Sequence, residues 1–311
     1  MPHRDPTPHS LPSLLSATGG YLIWGLFPLY WKQLRGIDAT ELIAHRMVWA
    51  LAFLSVVLAV QGRWGEMLRA LRSPKTSGAN LTSGALLTAN WLVYVWGVNA
   101  GHVIECSLGY FLVPLLNVLL GRFLLHERLR PAQLAAIALA TAGVGLLVWH
   151  VGRPPWIALA LAITFGLYGL MRKRSPLGPL LGLGAETLLL APVAIGFLLL
   201  RWHDGTGALG RVGPGMTAWL LSTGVVTAVP LLLFARGARG LRFTTLGFLQ
   251  YLTPTCQFLL GWLVYAEPLD PVRAAAFGVI WAGLATYSAD ALWSANSRRS
   301  AAPPVAQPSR A

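Results

Sequence analysis

Five residues between Gly109 and Gly143 return at one fixed spacing further along the chain. Pro114, Gly121, Glu127, Pro131 and Gly143 recur as Pro254, Gly261, Glu267, Pro271 and Gly283, each 140 positions later. A shared offset with no gap marks an internal duplication, which constrains the architecture more than any single motif does. Both copies lie in apolar sequence. A second match supports the first: Trp24-Gly25-Leu26-Phe27-Pro28-Leu29 corresponds to Phe165-Gly166-Leu167-Tyr168-Gly169-Leu170 at an offset of 141. The chain reads as two homologous halves.

Only 11% of residues are charged, 55% are hydrophobic and the mean hydropathy is +0.58. A soluble domain carries roughly a quarter charged residues. Many apolar runs approach the ~20 residues that cross a bilayer. The expected class is a polytopic all-α membrane protein. The net charge of +13 does not indicate nucleic acid, because the basic residues punctuate the ends of apolar runs. Cys106 and Cys256 form no CxxC, and the histidines no HxxxH pair, so no disulfide, metal site or cofactor is expected. The stretch from Met1 to Pro12 does not resemble a signal peptide, because the following apolar run is too long and lacks a small-residue cleavage site.

Ten membrane helices are expected, near 13–32, 40–60, 80–98, 104–125, 131–149, 155–172, 178–200, 216–235, 243–264 and 271–292. With the N-terminus inside, the inner connections hold seventeen Lys and Arg and the outer ones six, with Arg46 within a helix. That asymmetry places both termini in the cytoplasm of a bacterial inner-membrane protein. The domains are a cytoplasmic tail (1–12), a first five-helix repeat (13–150), a second (151–293) and a disordered tail (294–311). Five is odd, so the halves enter the membrane from opposite sides. Inverted repeats of that kind are a hallmark of secondary transporters, which alternate access by exchanging the conformations of the two halves.

These residues also carry a family resemblance. Gly20-Tyr21-Leu22-Ile23-Trp24-Gly25, Glu41-Leu42-Ile43-Ala44-His45-Arg46, Asn90-Trp91-Leu92-Val93-Tyr94-Val95-Trp96 with Asn99, and Ser107-Leu108-Gly109-Tyr110-Phe111 belong to it. So do Glu186-Thr187-Leu188-Leu189, Val229-Pro230-Leu231-Leu232-Leu233-Phe234 and Leu246-Gly247-Phe248-Leu249-Gln250-Tyr251. Over roughly 15 to 290 the chain resembles the EamA domain of the drug/metabolite transporter superfamily, and more narrowly its RarD branch. The resemblance implies a ten-helix permease with a central cavity for amino acids, metabolites or drugs. The branch label refers to chloramphenicol sensitivity, which makes that compound a suggestion for the solute.

An intramembrane charge costs several kcal/mol (roughly 2.5–3.5 on insertion scales) unless paired or hydrated. Arg46 and Glu186 are such charges, of opposite sign and 140 apart. Both are expected to face a cavity, as a pair or a water-bridged contact that alternation breaks, or as a static pair between helices. Glu186 is the carboxylate placed to titrate if protons are the coupling ion; facilitated diffusion is the alternative. Glu41 and His45 share a helix face and read either as a proton relay or as a solvated pair at the outer rim. Asn90 and Tyr94 fall on one side of the third helix and suit a flat, partly polar substrate; Asn90 alternatively joins helices. Tyr110, Asn117, Gln250, Tyr251 and Gln257 flank the matched prolines, and Trp24 and Tyr168 stand in the matched segments; all join the expected substrate-binding set.

Pro28, Pro114, Pro230 and Pro254 each remove a backbone donor and read as hinges, or as static kinks. Glu127 and Glu267 fall at opposite membrane faces before a proline that opens the next helix, and complement that helix start instead of forming a catalytic pair. Ala274, Gly278, Ala282 and Thr286, with Ala138 and Ala142, offer a close-packing or dimer face. The partners expected are a small-molecule substrate and the lipid bilayer, for a monomer or homodimer. A membrane-embedded enzyme would need a catalytic dyad or metal cluster, and a non-transporting sensor or assembly protein would bring a soluble domain; neither is visible, and no Walker A loop is present.

Overall fold

The computed structural model describes residues 11–300 except Arg35, Gly101, Arg153 and residues 267–270; the side chains of 98, 99, 103, 104, 151 and 295–300 are also outside the description. Readings that involve Arg4, Arg35, Arg153, Glu267 and Arg310 therefore lie outside the described residues. Within them the chain is entirely helical: α1 (Leu11–Trp31), α2 (Ala39–Val60), α3 (Trp64–Leu71), α4 (Pro74–Asn99), α5 (Val103–Leu124), α6 (Pro131–Val151), α7 (Trp156–Arg174), α8 (Pro179–His203), α9 (Pro214–Gly240), α10 (Phe243–Gln250), α11 (Leu252–Leu259) and α12 (Pro271–Ser300).

Seven of these, α2, α5, α6, α7, α8, α9 and α12, are long and apolar enough over most of their length to cross a membrane. Their outward surface fits that solvent. Val60, Phe123, Trp149, Val193 and Leu292 are each more than two-thirds exposed, and several exposed tryptophans stand near helix ends, where amphipathic rings settle at the lipid–water interface.

Proline sets many of the starts. Pro74, Pro131, Pro179, Pro214 and Pro271 each occupy the first position of a helix, where the missing N–H has no intrahelical acceptor to lose. α2 instead starts on a cap: the Asp38 carboxylate accepts from Thr40 N and Glu41 N, both at 3.0 Å. Four starts repeat at the spacing seen in the sequence: 39 and 179, 74 and 214, 103 and 243, 131 and 271. His126 and Ala266, 140 apart, are the two described non-glycine residues with positive φ (53° and 52°). Each ends a helix without the glycine that usually marks such a stop.

The expected helix over 243–264 is broken. α10 stops at Gln250, α11 resumes at Leu252, and Leu260–Val264 forms a π turn. Gln250 is four residues before Pro254, where the ring would press on the carbonyl. The equivalent Pro114 sits inside an unbroken α5. The short α3 was not foreseen, and α12 runs on to Ser300, into the stretch expected to be a disordered tail from 294.

Glycine lets the helices approach. A Cβ on Gly143 would lie 2.8 Å from the Ala276 carbonyl oxygen, and one on Gly283 would lie 2.8 Å from that of Ala136. These two contacts form the α6–α12 seam, with Ala136, Ala140 and Ala276 fully buried. The small-residue stripe named from the sequence is elsewhere: Ala138, Ala142, Gly278 and Ala282 are exposed and outside this seam. A larger buried cluster joins α1, α2, α4, α7, α8, α9 and α10 around Tyr21, Leu54, Tyr168 and Phe234.

Candidate functional site

α1, α2, α4, α5, α7, α9, α10 and α11 enclose a cavity of about 330 Å³, large enough for a small organic molecule. Its wall is aromatic on most sides. Trp24 and Phe165 meet edge-on with ring centroids 5.7 Å apart, and Tyr94 and Tyr110 do so at 5.9 Å. Among the 21 lining residues, Arg46 is the only charged one. It stands about two turns into α2, its guanidinium carbon 4.7 Å from the Trp31 ring centroid and 4.5 Å from that of Trp91. Its Nε donates to Thr227 Oγ1 at 3.1 Å. Two aromatic faces offset part of the desolvation of that cation.

Seven residues of the expected binding set reach this cavity: Trp24, Arg46, Asn90, Tyr94, Tyr110, Gln250 and Gln257, together with Pro28. Several also hold helices together. Asn90 Nδ2 donates to the Leu161 carbonyl and to Thr164 Oγ1, both at 2.9 Å, tying α4 to α7. Gln257 Nε2 donates to the Trp24 carbonyl at 3.3 Å, and Thr253 Oγ1 to the Tyr21 carbonyl at 2.9 Å, tying α11 to α1.

The other four stand elsewhere. Asn117 is buried behind the wall and donates from Nδ2 to Gln250 Oε1 at 3.0 Å. Tyr251 is buried with its hydroxyl directed at the Phe111 carbonyl, 3.5 Å away. Tyr168 is fully buried, its ring stacked on Phe234 at 6.0 Å, in the aromatic layer beneath the cavity. Glu186 borders a separate space of about 20 Å³. Pro114, Pro230 and Pro254 lie within α5, α9 and α11, each next to a lining residue (Val113, Leu231 and Thr253) but not itself in the wall.

Glu186 does not pair with Arg46. Its Oε1 accepts from Arg172 Nη1 at 2.9 Å, and both side chains are at most 2% exposed. Position along α4 explains why. Arg46 lies against Trp91, whereas the Glu186 Cβ is in contact range of Gly84, two turns earlier, about 10 Å by helical rise. Arg172, the first of three consecutive basic residues that end α7, closes this buried pair and rests on Gly182, where a Cβ would lie within 2.6 Å of the guanidinium carbon. The Glu41–His45 contact is no solvated rim pair: both residues are buried, the carboxylate lies 3.7 Å from His45 Nε2 and 3.5 Å from Arg201 Nη2, and it accepts from Ala208 N.

Along α7 the order is cavity (Leu161, Phe165), aromatic layer (Tyr168), then Arg172, Lys173 and Arg174. Along α9 it is cavity (Thr227, Leu231), Phe234, then Ala238 and Arg239. Both helices thus pass from the cavity to a closed end. At the closed end cations hold the ends of neighbouring helices. Lys173 Nζ donates to the carbonyls of Ala238, at 3.1 Å, and Leu241. Arg174 Nη2 donates to that of Leu124 at 2.7 Å, and Arg239 Nη1 to those of Ser175, at 2.8 Å, and Leu177. Glu127 accepts from Phe243 N, from Thr244 N at 3.0 Å and from Thr244 Oγ1 at 2.6 Å. It therefore caps α10, across the bundle, and not the start of α6 as its sequence position suggested; the Gln133 side chain serves Arg130 N there, at 3.2 Å.

Trp31, Thr227 and Phe165 were not among the expected site residues. Trp31 ends an apolar run and reads from sequence as an interface anchor. Thr227 is one of several hydroxyl residues in α9, and only three-dimensional packing brings it to Arg46.

Helices of this length and polarity around a solute-sized chamber define an integral membrane protein of the transporter class. The chain belongs to the EamA-like transporter family, whose profile matches residues 11–149, and its relatives place it with the RarD proteins. It is 47% identical to an uncharacterized transporter of Pseudomonas aeruginosa over 87% of this chain and 91% of that one. It is 42% identical to the RarD protein of Streptomyces exfoliatus over 96% of each chain. A solved crystal structure at 22% identity shares the fold, with a TM-score of 0.70 over 90% of this chain and 98% of its own.

Proposed function

We propose that the chain is a secondary transporter that moves a small organic solute across the inner membrane by alternating access, using two inverted five-helix repeats over 13–150 and 151–293. The observation that carries this reading is a solute-sized cavity closed at one end by an aromatic layer and a set of cation–carbonyl contacts. Packing supports the two-fold relation. α1 contacts α9 as α7 contacts α4; α1 contacts α11 as α7 contacts α5; α2 contacts α9 as α8 contacts α4. α2–α8, α5–α10 and α6–α12 are then pairs that map onto themselves. Such an arrangement lets one half adopt the other's conformation and so turn the cavity to the opposite face.

The basic closed end is the cytoplasmic one on the charge-asymmetry rule. Both termini then lie inside, and the cavity faces outward in this conformation. Proton coupling would run through Glu186, so transport by Glu186→Gln that kept its full pH dependence would remove that role. Chloramphenicol remains a compound to test, on the strength of the branch label. An enzyme is the weaker reading, since among the described residues the cavity wall brings together no nucleophile–base pair. The deciding experiment is counterflow in proteoliposomes: a transporter exchanges a preloaded solute, saturably and without chemical change. Binding with no exchange of any solute would favour a sensor.

A further inference from the structure

We infer that the solute is an organic anion, a monocarboxylate on a flat apolar body, whose charge is received by Arg46. The inference rests on the transporter reading and names the class of molecule the same cavity takes.

The argument starts from what Arg46 lacks. Its guanidinium lies in cation–π range of both the Trp31 and the Trp91 rings, and its Nε is committed to Thr227. Among the described residues no acceptor meets either Nη atom, and no carboxylate lines the cavity. That leaves the Nη edge, the part of a guanidinium that binds a carboxylate through two parallel hydrogen bonds. The acidic residues nearest in sequence or by repeat are engaged elsewhere: Glu41 with Arg201 and Ala208 N, and Glu186 with Arg172.

The contrast with Arg172 is informative. Both are arginines within the bundle, but Arg172 has a carboxylate at 2.9 Å and Arg46 has none. An intramembrane cation is costly, and two indole rings within 4.7 Å of its guanidinium carbon hold this one in place without neutralising it. A cation kept in that condition inside a solute-sized cavity is suited to an anion that arrives with the solute. Tyr94 and Tyr110 line the same cavity, lie in electrostatic reach of Arg46 and bring hydroxyl donors. One positive charge balances a monoanion; among the described residues no second cation lines the wall for a dianionic phosphate. The aromatic remainder of the wall suits a flat apolar body.

The test compares acids with their own amides. Benzoate and benzamide, 3-phenylpropionate and its amide, and indole-3-acetate and its amide are titrated into the purified full-length protein in lipid nanodiscs, read by thermal shift and by competition in counterflow. The acids are expected to bind roughly tenfold or more tightly than the amides, as loss of a charge-assisted pair implies. Arg46→Gln should erase the difference and Arg46→Lys should keep part of it. Equal binding of acid and amide, an acid preference that survives Arg46→Gln, or no binding of any acid would overturn the inference. Should Arg46→Gln fail to fold, the comparison in the unaltered protein and in Arg46→Lys still decides. Neutral solutes that exchange while acids do not would sink the anion reading and leave the transporter standing. Acids that bind through Arg46 without any solute exchanging would do the reverse.

Discussion

The two ends of the bundle solve opposite problems with the same kinds of residue. At the closed end, cations find acceptors in the protein itself: Lys173, Arg174 and Arg239 donate to carbonyls at or beside helix ends, and Arg172 meets Glu186 through Nη1. At the cavity end, Arg46 is placed among rings and given a single neutral acceptor. Cations that find protein acceptors lock helices together. A cation left with a free edge keeps binding capacity for something else. The two arginines differ in burial in the same sense: Arg172 is fully buried, whereas Arg46 is partly exposed in the cavity wall.

That comparison can be broken most severely at Glu186. Glu186→Gln removes the partner of a cation that is 1% exposed, and should lower stability by about 3–5 kcal/mol, whereas replacing both members with apolar residues of similar volume should recover much of the loss. Thermal unfolding of the purified variants measures both. A smaller loss, about 1.5–3 kcal/mol, is expected for Glu127→Gln, which weakens charge-assisted bonds at the start of α10; labelling of the cavity from the closed end should rise in this variant. Asn117→Leu leaves the buried Gln250 Oε1 without its donor and should cost about 1–3 kcal/mol, with solute affinity reduced because Gln250 lines the cavity. Thr227→Val, which frees Arg46 Nε, should change stability least of these, by about 1 kcal/mol, and should show mainly as weaker binding of carboxylates in the same titration.

Much of this was legible in the sequence, and for identifiable reasons. The 140-residue offset foretold where helices start, because proline at a first helical position leaves a visible mark. Asn90, Tyr94 and Tyr110 reached one cavity because helical spacing decides which residues share a face. What failed did so where distance along the chain says nothing about depth in the bundle. Arg46 and Glu186 stand 140 apart in the matched halves, yet one lies against Trp91 and the other against Gly84, two turns away along α4. Arg172 ended an apolar run and so looked like a loop cation. Tyr168 matched a cavity segment yet turned into the core beside Phe234. The left-handed turns at His126 and Ala266 carry no glycine to announce them, and Pro114 and Pro254, identical by motif, sit in one continuous helix and one broken helix.

The most direct measurement of the central claim is cavity access from each face of the membrane. Leu87→Cys, at the cavity wall on α4, is made in a chain with Cys106 and Cys256 replaced by serine, reconstituted in liposomes and labelled with a membrane-impermeant maleimide from either side. The account predicts labelling from both faces, faster from the cavity face, with Glu127→Gln speeding the reaction from the closed face. Labelling from the cavity face alone, unchanged by Glu127→Gln, would contradict alternating access and leave a binding chamber that never opens inward.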